Sequence, residues 1–92
     1  MVLAEANSKI VGYAVGSLVD RGEEQASAYC EMVFVSKNYR NRGIAKKLIK
    51  ALVDYVRELE CSQIYHYVAK WNKPMINASL SVGFSQAPSD IG

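Results

Sequence analysis

The chain has 92 residues and a net charge of +2, with 50% hydrophobic and 22% charged residues. This length and composition predict one folded domain over residues 1–92 rather than a disordered tail. The small net charge, with Lys and Arg interleaved among acids, argues against a nucleic-acid partner. No apolar run approaches about 18 residues and the start lacks signal-peptide features, so we expect no membrane partner and a cytoplasmic protein.

The first part of the chain predicts three β-strands. Residues 2–6 and 9–19 are mostly apolar and flank the turn signal Asn7-Ser8, which is typical of a hairpin. A polar loop follows at residues 20–25, and residues 26–35 predict a third strand rich in β-forming side chains. Simple alternation along this third strand places Cys30, Met32 and Phe34 on one face and Glu31, Val33 and Val35 on the other.

The second part predicts a helix, a strand and a second helix. Apolar residues recur at three- and four-residue intervals from Gly43 to about residue 60, as in a helix that packs on a sheet. Residues 63–70 predict a fourth strand, and residues 73–82 a short helix capped by Asn72 and ended by Gly83. A strand, helix and strand in this order predict two parallel, neighbouring strands. The predicted fold is therefore α+β, in the order β-β-β-α-β-α, with a mixed central sheet.

The loop before the first helix carries the most informative motif, Arg40-Asn41-Arg42-Gly43-Ile44-Ala45. A helix start leaves about four backbone N–H groups without intrahelical partners, and the helix dipole adds positive charge there. A bound anion is favoured at such a place. Gly43 has no Cβ to hold a phosphate oxygen away, and the two arginines add charge. The loop is therefore predicted to bind phosphate.

This loop, after the strand end Val33-Phe34-Val35, resembles the acyl-CoA-binding signature of the GCN5-related N-acetyltransferase (GNAT) superfamily. Asn72 after the fourth strand, with Gly83-Phe84 downstream, resembles a second GNAT motif. The resemblance implies a three-layer fold from which the N-terminal strand and helices of full-length members are absent here. The chain would then be a short member, a fragment, or a unit that a partner chain completes.

The resemblance also implies direct transfer of an acetyl group from acetyl-CoA to a primary amine, with no metal. The acceptor would be an amine-bearing small molecule or protein, whose identity the sequence does not give. Acetyl-CoA would be bound by the third strand, the phosphate loop and the fourth-strand asparagine. The implied cofactor-binding residues are Val33, Phe34, Val35, Arg40, Asn41, Arg42, Gly43, Ile44, Ala45, Lys46 and Asn72.

Two residues are the predicted catalytic groups. Glu31 resembles the glutamate that deprotonates the acceptor amine in the histone acetyltransferase branch; the alternatives are a solvent-facing strand glutamate, or His66 as the base. Ser79 falls where many members carry a tyrosine that protonates the coenzyme A thiolate, and a serine hydroxyl is shorter and less acidic than a phenol. Cys30 and Cys61 are expected to be reduced and structural, and with His66 they do not have zinc-ligand spacing.

A second functional class is compatible with the same motifs. A GNAT-like domain that binds acyl-CoA, or only proteins, without turnover would carry the same loop and fold. The substitution at Ser79 and the short chain favour this alternative. Open sheet edges also predict a homodimer, because unpaired edge strands seek partners.

Overall fold

The computed structural model describes residues 1–19, 27–59, 61 and 63–86. The strands are β1 (Val2–Ala6), β2 (Lys9–Val19), β3 (Ser27–Val35) and β4 (Gln63–His66). The helices are α1 (Ile44–Glu58) and α2 (Lys73–Val82), with a short 3₁₀ helix at Lys37–Tyr39. The predicted loop at residues 20–25, the start of the third strand at residue 26 and the helix end near residue 60 lie outside the described residues.

The four strands form one mixed sheet in the order β1-β2-β3-β4. The first three strands are antiparallel, and β4 runs parallel to β3, as the crossover order predicts. The α+β prediction is therefore confirmed. The fourth strand is shorter than predicted, because its ladder with β3 ends at the pair Cys30–His66 and residues 67–70 lie beyond it.

Helix α1 packs across one face of the sheet. Two glycines of β2 allow the close approach of α1: a Cβ on Gly16 would lie 3.1 Å from the Leu52 side chain, and one on Gly12 would lie 3.2 Å from the Leu48 side chain. The buried residues of α1 are Leu48, Ile49, Leu52, Val53 and Val56. Of these, Leu48 and Leu52 pack with Ala14, Cys30 and Val35 in the main core cluster.

Helix α2 lies beside α1 on the same face. His66 is paired with the buried Cys30 in the β3–β4 ladder, and its Nδ1 lies 2.9 Å from the Ser79 hydroxyl of α2. Within the described residues, both helices therefore cover one face of the sheet and leave the other uncovered. Of the helices in this part of the chain, none is long and apolar enough to cross a membrane.

A β-bulge in β3 overturns the predicted alternation of its side chains. Val15 pairs with Met32 and Gly16 pairs with Cys30, so that Glu31 is the extra residue on β3. An extra residue reverses the phase of the side chains that follow it. Cys30 and Val35 are consequently both buried under α1, whereas Met32 and Phe34 are 53% and 41% exposed. The prediction that Cys30 shares a face with Met32 and Phe34 is wrong for this reason.

Candidate functional site

A cleft of about 810 Å³ lies between the end of β3, the start of α1 and helix α2. This volume is within the range of small-molecule and cofactor sites. The cleft brings together all the predicted cofactor-binding residues except Arg42. These lining residues are Val33, Phe34, Val35, Arg40, Asn41, Gly43, Ile44, Ala45, Lys46 and Asn72.

The phosphate-loop end of the cleft presents free backbone N–H groups. The first intrahelical bond of α1 runs from the Lys47 N–H to the Gly43 carbonyl at 3.1 Å, so the preceding N–H groups have no partner in the helix. Among the described residues, no side chain caps this start and no acid lies in its first turn. Gly43 has a φ of 79° and Asn41 a φ of 64°, both in the left-handed region. The loop geometry thus favours a bound anion.

The two arginines of the loop have different positions. Arg40 lines the cleft, and its Nε donates a hydrogen bond of 3.0 Å to the Val35 carbonyl, which ties the loop to the end of β3. Arg42 instead packs over the Tyr39 ring, with its guanidinium carbon 5.4 Å from the ring centroid, and does not line the cleft. The structure therefore places Arg40 at the site and Arg42 at its margin.

The cleft exists because β3 and β4 stop pairing before β3 ends. Their last ladder pair is Cys30 and His66, whereas β3 continues to Val35 paired only with β2. The backbone of residues 33–35 therefore has no ladder partner on the β4 side. Apart from the Val35 carbonyl, which accepts the Arg40 hydrogen bond, backbone groups on this side can bind an extended ligand as a neighbouring strand would.

Helix α2 supplies the opposite wall, which the sequence analysis did not identify. Trp71 is 81% exposed and precedes the cap residue Asn72, whose side-chain oxygen accepts a hydrogen bond of 3.4 Å from the Met75 N–H. The signal was available, because the wall residues of α2 recur at helical spacing after Asn72. The lining residues that were missed are Tyr39, Trp71, Pro74, Met75, Asn77, Ala78 and Ser81.

A smaller cleft of about 200 Å³ lies where β3 and β4 diverge. It is lined by Glu31, His66 and Tyr67, among others, and shares Val33, Asn72 and Met75 with the larger cleft. The predicted base, its predicted alternative and the larger cleft therefore meet at one end of the sheet.

The two predicted catalytic residues have contrasting environments. Glu31 is exposed and accepts a hydrogen bond of 2.6 Å from the Ser17 hydroxyl. Ser79 is only 6% exposed, lines neither cleft, and contacts His66. Burial lowers the pKa of His66, so its imidazole is neutral at pH 7.

Neither cysteine is placed as a nucleophile. Both are free thiols, Cys30 buried and Cys61 half-buried. Burial, with a smaller contribution from the neighbouring Glu31 carboxylate, raises the pKa of Cys30 to about 11, so this thiol stays protonated at neutral pH. In the described part of the chain, no cluster of three or more His, Cys, Asp or Glu side chains is arranged to hold a metal ion.

Known proteins with related sequences are acetyltransferases. The chain is 31% identical over 70 residues to thialysine N-epsilon-acetyltransferase of Mus musculus, which covers 76% of this chain and 41% of that protein. It is 29% identical over 79 residues to a probable spermine N(1)-acetyltransferase of Bacillus subtilis subsp. natto, and the match covers 82% of this chain and 52% of that protein. The chain thus spans about half the length of these curated relatives.

Solved structures show the same fold. An aminoglycoside acetyltransferase from an uncultured soil metagenomic sample, crystallised with trehalose, matches with a TM-score of 0.84 and 22% identity over 98% of this chain and 60% of its own. AAC(6')-Iy, in complex with a coenzyme A bisubstrate analogue, matches with a TM-score of 0.81 and 23% identity over 98% and 64%. The model of the acetyltransferase (GNAT) family matches residues 1–84. The chain therefore belongs to the GNAT acetyltransferase family.

Proposed function

We propose that this chain is an N-acetyltransferase domain that moves an acetyl group from acetyl-CoA to a primary amine by direct transfer. The observation that carries the proposal is the cleft in which the loop of residues 40–45, the end of β3 without a β4 partner (residues 33–35) and Asn72 meet. This arrangement matches an elongated ligand with an anionic end. Family membership and structural neighbours crystallised with coenzyme A or its analogue support the same ligand.

The anionic end of acetyl-CoA would lie at the start of α1. Backbone N–H groups of residues 43–46 would donate hydrogen bonds to the pyrophosphate, and Arg40 and Lys46 would supply positive charge. The backbone of residues 33–35 on its β4 side and the side-chain NH2 of Asn72 would orient the rest of the molecule. When bound, acetyl-CoA supplies the acetyl group as an activated thioester.

On the acceptor side, Glu31 would take a proton from the ammonium group of the acceptor, directly or through water, which leaves the neutral amine as the nucleophile. Its carboxylate lies where the two clefts meet, and the Ser17 hydroxyl holds it in position. The amine nitrogen would then attack the thioester carbonyl, forming the C–N bond as the C–S bond breaks. The nitrogen would lose its second proton to give the amide, and the departing thiolate would take up one proton. Because Ser79 lines neither cleft, a proton from Ser79 would have to travel through the His66 ring.

The acceptor is proposed to be an amine-bearing small molecule. This proposal takes its support from the relatives, whose names specify thialysine, spermine and aminoglycosides as the acceptors of those proteins.

We also propose a homodimer that forms through the edge strands β1 and β4, which light scattering in solution would test.

Isothermal titration with acetyl-CoA tests the cofactor assignment. We expect a dissociation constant in the micromolar range, about −8 kcal/mol. Arg40→Ala should weaken binding roughly 10- to 150-fold, since a charge-assisted hydrogen bond contributes about 1.5–3 kcal/mol. Arg57→Ala, at the exposed far end of α1, is the matched control and should bind normally. No detectable binding by the wild-type chain would contradict the proposal.

The second candidate function is an acyl-CoA-binding domain without turnover. The burial of Ser79 against His66, away from both clefts, favours it, because the hydroxyl predicted to protonate the thiolate then does not face it. An assay of free thiol release with a panel of primary amines separates the two functions. Binding of acetyl-CoA with no thiol release for any amine would favour the second.

A further inference from the structure

The sheet face that the helices leave uncovered carries a stack of three tyrosines beside Glu31. The Tyr29 ring stacks on Tyr65 with centroids 5.4 Å apart, and on Tyr67 with centroids 6.1 Å apart. Tyr29 lies opposite Ser17 in the β2–β3 ladder, and the Ser17 hydroxyl donates to the Glu31 carboxylate. The three rings and the carboxylate therefore occupy one corner of the same face.

The charge on this face is complementary to a cation. The described strand residues place two charged side chains on it, Glu5 and Glu31, and both are acidic. The face of an aromatic ring is also electronegative, so stacked phenols attract an ammonium group. By contrast, the basic residues Arg40 and Lys46 line the larger cleft.

Strand pairing accounts for only part of the stack. Tyr29 and Tyr65 are directly paired across β3 and β4, where an aromatic pair stabilises the ladder. Tyr67 lies beyond the last residue of β4 and is 80% exposed, so neither the ladder nor the core requires its ring. Tyr67 does line the smaller cleft with Glu31, which places it next to the predicted reacting group.

We infer that Tyr29, Tyr65 and Tyr67 form a cation-binding subsite for a second ammonium group of a diamine or polyamine acceptor. The reacting amine of that acceptor would lie at Glu31 while its distal ammonium lies against the tyrosine rings. This inference rests on the proposed function for the role of Glu31. Binding of the amine to the tyrosines does not itself require acetyl transfer.

An NMR titration of the full chain tests the subsite with two probes, spermidine and n-butylamine, at equal ionic strength. Spermidine has further ammonium groups spaced along its chain, whereas butylamine has one. We expect spermidine to shift the ring protons of the three tyrosines and to bind roughly tenfold tighter than butylamine. Equal affinities for the two probes would overturn the inference.

Variants of Tyr67 separate ring recognition from general attraction of a polycation. Tyr67→Leu should remove most of the preference for spermidine, Tyr67→Phe should retain it, and Tyr55→Leu, exposed on α1, should leave it unchanged. An unchanged preference in Tyr67→Leu would overturn the subsite. If Tyr67→Leu misfolds, two results can still overturn the subsite: loss of the spermidine preference in Tyr67→Phe, or equal affinities of the wild-type chain for spermidine and butylamine.

The two proposals fail in distinguishable ways. If spermidine shifts the tyrosine ring protons but no acetyl transfer is detected, the subsite holds and the transferase proposal fails. If spermidine is acetylated and Tyr67→Leu leaves its KM unchanged, the transferase proposal holds and the subsite is refuted. A rise in KM with little change in kcat is the pattern expected of a residue that positions the acceptor.

Discussion

The two faces of the sheet differ in charge and in what covers them. The face under α1 ends in the larger cleft. There, the positive charges of Arg40 and Lys46 and the uncapped N–H groups at the start of α1 favour an anion. The opposite face has no helix over it in the described residues and carries Glu31 beside stacked tyrosines. Two substrates of opposite charge can therefore approach the same strand from opposite sides.

The bulge in β3 allows one strand to serve both faces. Up to Cys30 the strand alternates regularly, and the extra residue Glu31 then turns outward together with Met32. After it, Val33 and Val35 return to the helix side at the larger cleft. The bulge thus places the Glu31 carboxylate on the uncovered face within two residues of backbone that lines the larger cleft. Bulges are over-represented next to active sites.

The largest expected effect is that of Glu31→Gln on the acceptor side. Glutamine keeps the size and the hydrogen bond from Ser17 but cannot take a proton. We expect kcat to fall roughly 100-fold or more, the usual contribution of a general base. The dissociation constant for acetyl-CoA should not change, because the cleft proposed for that ligand lies on the other side of β3.

Glu5→Gln is the matched control for this substitution. Glu5 is an exposed acid that β1 places on the same face, and its charge change is identical. Steady-state kinetics with one amine should give normal kcat for this variant. Equal losses in the two variants would indicate a general effect of the acidic face rather than proton transfer by Glu31.

A smaller effect is expected on the cofactor side, from Gly43→Ala. A left-handed backbone costs a residue with a Cβ about 1–2 kcal/mol, and nothing lies within 4 Å of a Cβ added at Gly43, so strain rather than overlap is introduced. Relief of that strain would move the N–H groups of the loop. We expect acetyl-CoA to bind roughly tenfold more weakly, about 1.4 kcal/mol, as measured by calorimetry.

Gly83→Ala is the matched control, because it introduces the same kind of backbone strain at a residue outside both clefts. Gly83 ends α2 with a φ of 118°, and a Cβ there also meets nothing within 4 Å. The substitution should lower the free energy of unfolding in the same way and leave acetyl-CoA affinity normal. Normal affinity in Gly43→Ala would refute the assignment of the loop as the phosphate site.

Sequence patterns predicted the local features of the cofactor side well. The stripe of Leu48, Leu52 and Val56 marks α1, and Asn72 and Gly83 mark the ends of α2, because helix periodicity and caps are local properties. The loop before α1 could be predicted as a phosphate-binding loop because its motif is also a local pattern of consecutive residues. All its predicted residues except Arg42 line the larger cleft, and Arg42 departs only through its contact with Tyr39.

The acceptor side was less predictable because it depends on pairing between distant segments. Nothing in the residues around Glu31 marks it as a bulge; the register of β2 against β3 decides that. The stack of Tyr29 on Tyr65 likewise follows from the parallel register of β3 and β4, and Tyr67 joins it from beyond the end of β4. Simple alternation therefore gave the wrong face for Met32 and Phe34.

The smallest expected effect concerns His66, which lies between the two sides and contacts Ser79. Burial lowers its pKa in the folded chain below the ordinary value of 6.5. Above that value both folded and unfolded states hold a neutral imidazole, so His66 adds no pH dependence. As the pH falls below it, the unfolded state binds the proton first, and the folded chain loses stability until the folded pKa is passed.

Urea unfolding between pH 7.5 and 5 would measure this loss. We expect the wild-type chain to lose more free energy of unfolding over this range than His66→Gln, which cannot titrate but can still bond to Ser79. All ionisable groups other than residue 66 are common to both proteins, so their contribution cancels in the difference. Parallel curves for the two proteins would show that His66 is not desolvated in the folded chain. A neutral His66 could not then be assumed in any proton route from Ser79 to the smaller cleft.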